Sequence, residues 1–115
     1  METLFESDDI VFMYVTFAST DEATKVGQAA VEARLAACAN ITASHTSIYR
    51  WKEKIEINPE TAALFKTTKT CSEELASFIR SRHSYETPCI ATIDPSRLNK
   101  DFSDWVRSET KSTLE

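Results

Sequence analysis

The sequence predicts an α+β sandwich of βαββαβ order with an extra C-terminal helix. Three observations predict it. An eight-residue apolar run spans Ile10–Phe17. Two helix-period stretches each open on a Ser/Thr–Glu pair three residues apart, Ser19/Glu22 and Thr70/Glu73. Between them lies a long strand-type stretch without helical period. The chain has 115 residues, enough for one domain. Residues 1–9 read as a short flexible N-terminus, 10–109 as the single domain and 110–115 as a frayed tail.

The elements follow in order. Ile10–Phe17 is nearly all β-branched or aromatic and apolar on both faces, which suits a central strand covered at least partly on each side. A helix follows with Ala23, Val26, Gly27, Ala30, Val31, Leu35 and Cys38 at helical spacing, its face made mostly of small side chains. Cys38 closes this predicted helix. Ile48, Tyr49, Trp51, Ile55, Ile57, Leu64 and Phe65 then mark two strand arms, with Lys52-Glu53-Lys54 at the hairpin tip. Pro59 lacks an N–H, so it belongs at a bulge or an edge. Cys71, Leu75, Phe78 and Ile79 define a second amphipathic helix, and Cys89–Ile93 a short strand. Leu98, Phe102, Trp105 and Val106 form the apolar stripe of a last helix, with Trp105 and Phe102 read as core. The first six elements match the ferredoxin-like split βαβ arrangement, a fold that hosts many activities.

Composition excludes several classes of function. Thirteen basic and 18 acidic residues give a net charge of −5, the wrong sign for a phosphate-backbone binder, so no nucleic-acid partner is expected. No apolar run reaches the ~20 residues of a membrane helix, and the acidic N-terminus lacks the basic start of a signal peptide. A single glycine rules out a Gly-rich phosphate loop. Three cysteines, an odd number without metal-finger spacing, read as free thiols of a cytoplasmic protein.

The hairpin is long for so small a domain. Its first arm, residues 45–52, extends about 26 Å at 3.3 Å per residue. A bare apolar ribbon with free edges is marginal in water and invites pairing. Tyr49, Trp51, Ile55 and Ile57 are therefore predicted to be covered by sister copies in a closed homo-oligomer.

Six ordered segments resemble the CutA family of divalent-ion tolerance proteins. They are Asp21-Glu22-Ala23-Thr24, Arg34-Leu35-Ala36-Ala37-Cys38-Ala39-Asn40, Ser47-Ile48-Tyr49-Arg50-Trp51-Lys52, Phe65-Lys66-Thr67-Thr68, His83-Ser84-Tyr85-Glu86-Thr87-Pro88 and Phe102-Ser103-Asp104-Trp105-Val106. The resemblance covers residues 10 to about 108. It implies a cytoplasmic, PII-like homotrimer of ferredoxin-like subunits, with no established enzymatic activity, linked to tolerance of copper and other divalent metals. The sequence departs from the family pattern in places. Glu53 stands where the hairpin tip usually has Gly, so a change of turn type is expected. Ser84 replaces a Pro and frees a backbone N–H, and Cys89 replaces a Glu. The copper-ligand pattern of bacterial members, a Cys and a His pair, falls here on Phe17, Arg82 and His83.

Candidate sites follow from residue chemistry. Cys and His suit copper or another divalent cation, which leaves Cys38, Cys71, Cys89, His45 and His83. Cys71 and Cys89 are predicted on core faces, so His83 and Cys38 are the metal candidates. A three-fold axis gathering copies of one His is the simplest route to such a site. Lys66, Tyr85, Glu86 and Trp51 lie in the family-like segments, and together with Glu60 they are predicted to share a subunit cleft. Lys66 either pairs with Glu60 or Glu86 or binds a small anion. No nucleophile–base spacing points to catalysis, so the chain reads as non-enzymatic. The implied function is divalent-metal (copper) tolerance. The alternative is a passive trimeric scaffold, or a PII-like small-molecule sensor that binds no metal directly.

Overall fold

The computed structural model describes residues 2–111. Its elements are β1 (Leu4–Glu6), β2 (Ile10–Phe17), α1 (Thr20–Glu32), β3 (Cys38–Ile41), β4 (His45–Trp51), β5 (Lys54–Thr68), α2 (Lys69–Arg82), β6 (Ile90–Ile93), β7 (Arg97–Asn99) and α3 (Lys100–Glu109). The main sheet runs β3-β5-β2-β6, with β4 continuing along the outer half of β5. The two central strands are β5 and β2, antiparallel from Ile10↔Thr68 to Phe17↔Thr61. This is the ferredoxin-like order the sequence predicts.

Alternation along β2 and β5 separates two faces. Met13, Val15, Phe17, Ala63 and Phe65 turn toward α1 and α2, where they meet Ala23, Val26, Ala30, Leu75 and Ile79. Close approach at the sheet edge depends on Gly27. A Cβ there would lie 3.2 Å from the Ala39 Cβ, tighter than ordinary packing. The opposite face is covered only at one end, where Leu98, Phe102 and Val106 pack with Ile10, Phe12 and Ala37.

Several boundaries differ from the sequence expectation, each for a local reason. The N-terminal segment is not loose, because Leu4–Glu6 pairs with Arg97–Asn99 in a two-stranded sheet. At the other end, Thr110 is buried, its hydroxyl donating to the Val106 carbonyl, and the Cys71 thiol donates to the Lys111 carbonyl. Residues 112–115 of the expected tail lie outside the described residues. Helix α1 stops at Glu32, so Cys38 opens a strand instead of closing the helix. The Leu35 N–H reaches the Ala30 carbonyl and the Arg34 N–H the Val31 carbonyl, both at 3.0 Å. That pattern is a Schellman stop, with Arg34 at φ 60 in the position that usually announces itself as Gly. Helix α2 is capped by Thr68, whose hydroxyl accepts from the Cys71 N–H, and not by Thr70. Leu98 belongs to β7, and Trp105 is 41% exposed rather than core. Cys89 is exposed, against the core placement predicted for it.

The hairpin keeps a two-residue turn, with Lys52 at φ 50 and Glu53 at φ 69. Both central residues are left-handed, as a type I′ turn requires, so Glu53 is held in the conformation a Gly would adopt freely. Pro59 sits in the half of β5 that pairs only with β4, the edge placement expected of it. The bulge is on the other arm. Ile41 pairs Ala63 and His45 pairs Glu60, so three residues (42–44) face two (61 and 62). Thr42 fills the irregularity. Its N–H donates to the Ala62 carbonyl at 2.9 Å and its hydroxyl accepts from the Ala62 N–H at 3.0 Å.

Candidate functional site: a cleft at the root of the hairpin

The register gives the ribbon two chemically different faces, because directly opposed residues share a side. Ile48 pairs Ile57, and Ile55 pairs Arg50 two positions further out. These three isoleucines are 69%, 64% and 56% exposed, the barest large apolar side chains of the fold. The other face carries Ser47, Tyr49, Trp51 and Glu60 and lines a cleft of about 650 Å³, which Ile48 also reaches. The far wall is the loop after α2, with Ser84, Tyr85, Glu86, Thr87 and Cys89. Tyr49 and Trp51 thus belong to the cleft face, while Ile55 and Ile57 belong to the aliphatic one.

The loop is held from three sides. The Glu22 carboxylate accepts from the Ser84 N–H at 2.8 Å, from the Ser84 hydroxyl at 3.0 Å and from the Ala18 N–H at 3.3 Å. The N–H freed by Ser84 is therefore used at once, with a charged acceptor. His83 stacks on Phe17 with ring centroids 4.6 Å apart and an interplanar angle of 12°. Its Nε2 donates to the Thr16 carbonyl at 2.7 Å, and its Nδ1 accepts from the Tyr85 N–H at 3.0 Å. Tyr85 then projects into the cleft and donates its Oη–H to Glu60 Oε2 at 2.7 Å. Burial pushes the Tyr85 phenol well above its ordinary titration range. The hydrogen bond to Glu60 and that carboxylate's charge raise it further, with Tyr49 and Glu22 adding to the effect. Tyr85 is thus a donor held protonated.

Of the five residues predicted to share a cleft, four do: Trp51, Glu60, Tyr85 and Glu86. Lys66 does not, and it pairs with neither Glu60 nor Glu86. Its ammonium lies 5.3 Å from the Phe12 ring centroid and 5.5 Å from that of Phe102, under α3. Lys66 and Glu60 stand six residues apart on β5, about 20 Å along an extended strand.

The metal candidates are likewise not brought together. Cys38 pairs Lys66, which pairs Phe12, whereas His83 sits against Thr16 and Phe17 at the other end of β2. Both ring nitrogens of His83 are engaged within the chain. Burial pushes the Cys38 thiol up, with the Lys66 charge offsetting this in part. Among the described residues no three His, Cys, Asp or Glu side chains converge as a metal site. Two contributors to the site, Glu22 and His83 in its supporting role, act across 62 and 67 residues of chain, which no local pattern marks. Ser84, Thr87 and Cys89 flank Tyr85-Glu86 in sequence, and that adjacency is the only signal for them.

Fold and site together define the class: a ferredoxin-like α+β chain with a long hairpin and a cleft at its root. The model of the CutA1 divalent ion tolerance protein family matches residues 11–109. The divalent-cation tolerance protein CutA of Pyrococcus horikoshii is 37% identical over 102 residues, covering 89% of this chain and 99% of that protein. The structure of CutA from Synechococcus elongatus superposes with a TM-score of 0.90 at 35% identity, over 95% of this chain and 96% of that one. The structure described as the periplasmic divalent cation tolerance protein CutA of Archaeoglobus fulgidus superposes with a TM-score of 0.85 at 35% identity, over 89% and 99%. The chain belongs to the CutA1 divalent ion tolerance family. Among the described residues no helix is long and apolar enough to cross a membrane.

Proposed function

We propose that this chain acts in divalent-cation tolerance as a non-enzymatic homotrimer whose cleft takes a small ligand at a subunit boundary. Membership of a family named for divalent-ion tolerance supports the first part. One observation carries the rest: Ile55 and Ile57 on the hairpin's aliphatic face are bare, while Ser47, Tyr49 and Trp51, together with Ile48, line a cleft. Covering that face with a sister copy removes apolar area from water and caps a free strand edge in the same step. The non-enzymatic reading is supported by the chemistry of the cleft. Tyr85 is held protonated and His83 has both nitrogens engaged, so neither is placed as a general base. Copper or another divalent cation would need ligands from more than one subunit, because Cys38 and His83 stand at opposite ends of β2. Three unpaired cysteines support cytoplasmic residence.

Light scattering on the eluting protein tests the assembly. The native chain is expected at three times its 13.0 kDa mass and Ile57→Glu at or near the monomer mass. A native monomer at micromolar concentration overturns it. A thermal-shift screen of metals, nucleotides and organic ions tests the ligand, since binding to the folded form alone raises stability. No shift with any of them leaves a passive scaffold.

A further inference from the structure

We propose that the cleft is a receptor site for a small organic ammonium ion, with the Glu60 carboxylate as counter-ion and the rings of Tyr85, Tyr49 and Trp51 as walls. This rests on the ligand-site reading above and gives that ligand a charge and a chemistry. With Lys66 elsewhere, the anion-binding alternative for the cleft loses its cation. Two carboxylates line the cleft, Glu60 and Glu86, and among the described residues no Lys, Arg or His does. Glu60 is only 9% exposed, and it makes no ion pair among the described residues. Its cross-strand neighbour His45 makes none with it either. Tyr85 supplies one hydrogen bond to one of the two Glu60 oxygens, and Glu60 lines the cleft, where a cation can meet it.

The occupant's class follows from the walls. A hard metal ion wants about six oxygen ligands, whereas here one Glu60 oxygen is already committed and no third ligand converges. Aromatic faces beside a carboxylate suit a weakly hydrated organic cation, which gains from the ring quadrupole as well as from the charge. The chain itself supplies an example. The Lys52 ammonium lies 5.8 Å from the Trp51 ring centroid at the hairpin tip. The volume, about 650 Å³, is that of a small-molecule site.

Calorimetric titration of the full-length protein with putrescine, choline, citrate and copper(II) tests this. Saturable binding of putrescine or choline is expected, without citrate binding at the same concentrations. The two amines distinguish a primary-amine from a quaternary-ammonium source. Glu60→Gln keeps an acceptor for Tyr85 and is expected to weaken the amine about ten- to a hundred-fold, the worth of a charged hydrogen bond. Tyr49→Leu keeps apolar bulk without the ring and is expected to weaken it less, and unchanged circular dichroism and oligomer mass show that each variant folds. Citrate or copper(II) binding without amine binding overturns this inference and leaves the ligand-site reading standing. So does amine binding that Glu60→Gln does not weaken. Silence from all four probes overturns this inference, and the thermal-shift screen then decides the broader one.

Discussion

Replacing Tyr85 by Phe deletes one hydroxyl and leaves the carboxylate of Glu60, a residue only 9% exposed, without the donor that contacts it at 2.7 Å. A hydrogen bond to a charged group contributes about 1.5–3 kcal/mol. Tyr85 is only partly buried, so water recovers some of that, and a cost of about 1–2 kcal/mol is expected near neutral pH. The variant also predicts a change with pH. In the folded protein the phenol is held above its ordinary value of 10.0, first by burial and then by Glu60. The folded state therefore keeps a proton that the unfolded chain releases. Its contribution is fully present below about pH 10 and is lost as pH rises toward the folded titration point, with a slope of at most about 1.4 kcal/mol per pH unit for one proton. Guanidinium unfolding at fixed protein concentration, at about pH 8 and about pH 11, measures both effects. Stability of the native protein should fall more steeply than that of Tyr85→Phe over this interval. Phenolate absorbance should show one tyrosine titrating later than the others, and Tyr85→Phe should remove it. The reasoning fails if the variant is as stable as the native chain near neutral pH, or if no late tyrosine is seen.

Two further perturbations probe the supports of the site. Glu53→Gly at the hairpin tip should raise stability by about 0.5–1 kcal/mol, because Glu53 is held at φ 69, and a higher guanidinium midpoint measures it. Glu22→Ala removes the acceptor of the Ser84 and Ala18 N–H groups. The Ser84 amide should then exchange with solvent faster, by an amount corresponding to about 1–2 kcal/mol of local opening, while core amides such as that of Phe65 change little.

The legibility of the fold tracked how local each signal was. The Ile10–Phe17 strand, the two helices and the hairpin tip are written in residues next to one another, through apolar period and capping. The stop of α1 was not legible, since Arg34 occupies the left-handed position by virtue of the Leu35–Ala30 and Arg34–Val31 hydrogen bonds and not by being glycine. Nor was β1, three residues whose only partner lies more than 90 residues away. In the site, Tyr85, Glu86 and Trp51 were found from their segments, and Glu60 as a polar residue on the hairpin's return strand. Lys66 was misplaced because an even position on β5 fixes its face and not its distance along the strand.

The sequence by itself determined the order of the main strands and helices, the family, the apolar excess of the hairpin and four of the polar or aromatic residues from which the cleft is made. These are properties of composition and short-range spacing, which hydrophobic burial and capping read directly. Only the tertiary structure decided which face of the ribbon each residue takes, that Phe17 and His83 form a stack, and that the cleft carries negative charge. Those outcomes depend on cross-strand register and on contacts closed over 60 or more residues, where a single-residue shift would exchange the two faces.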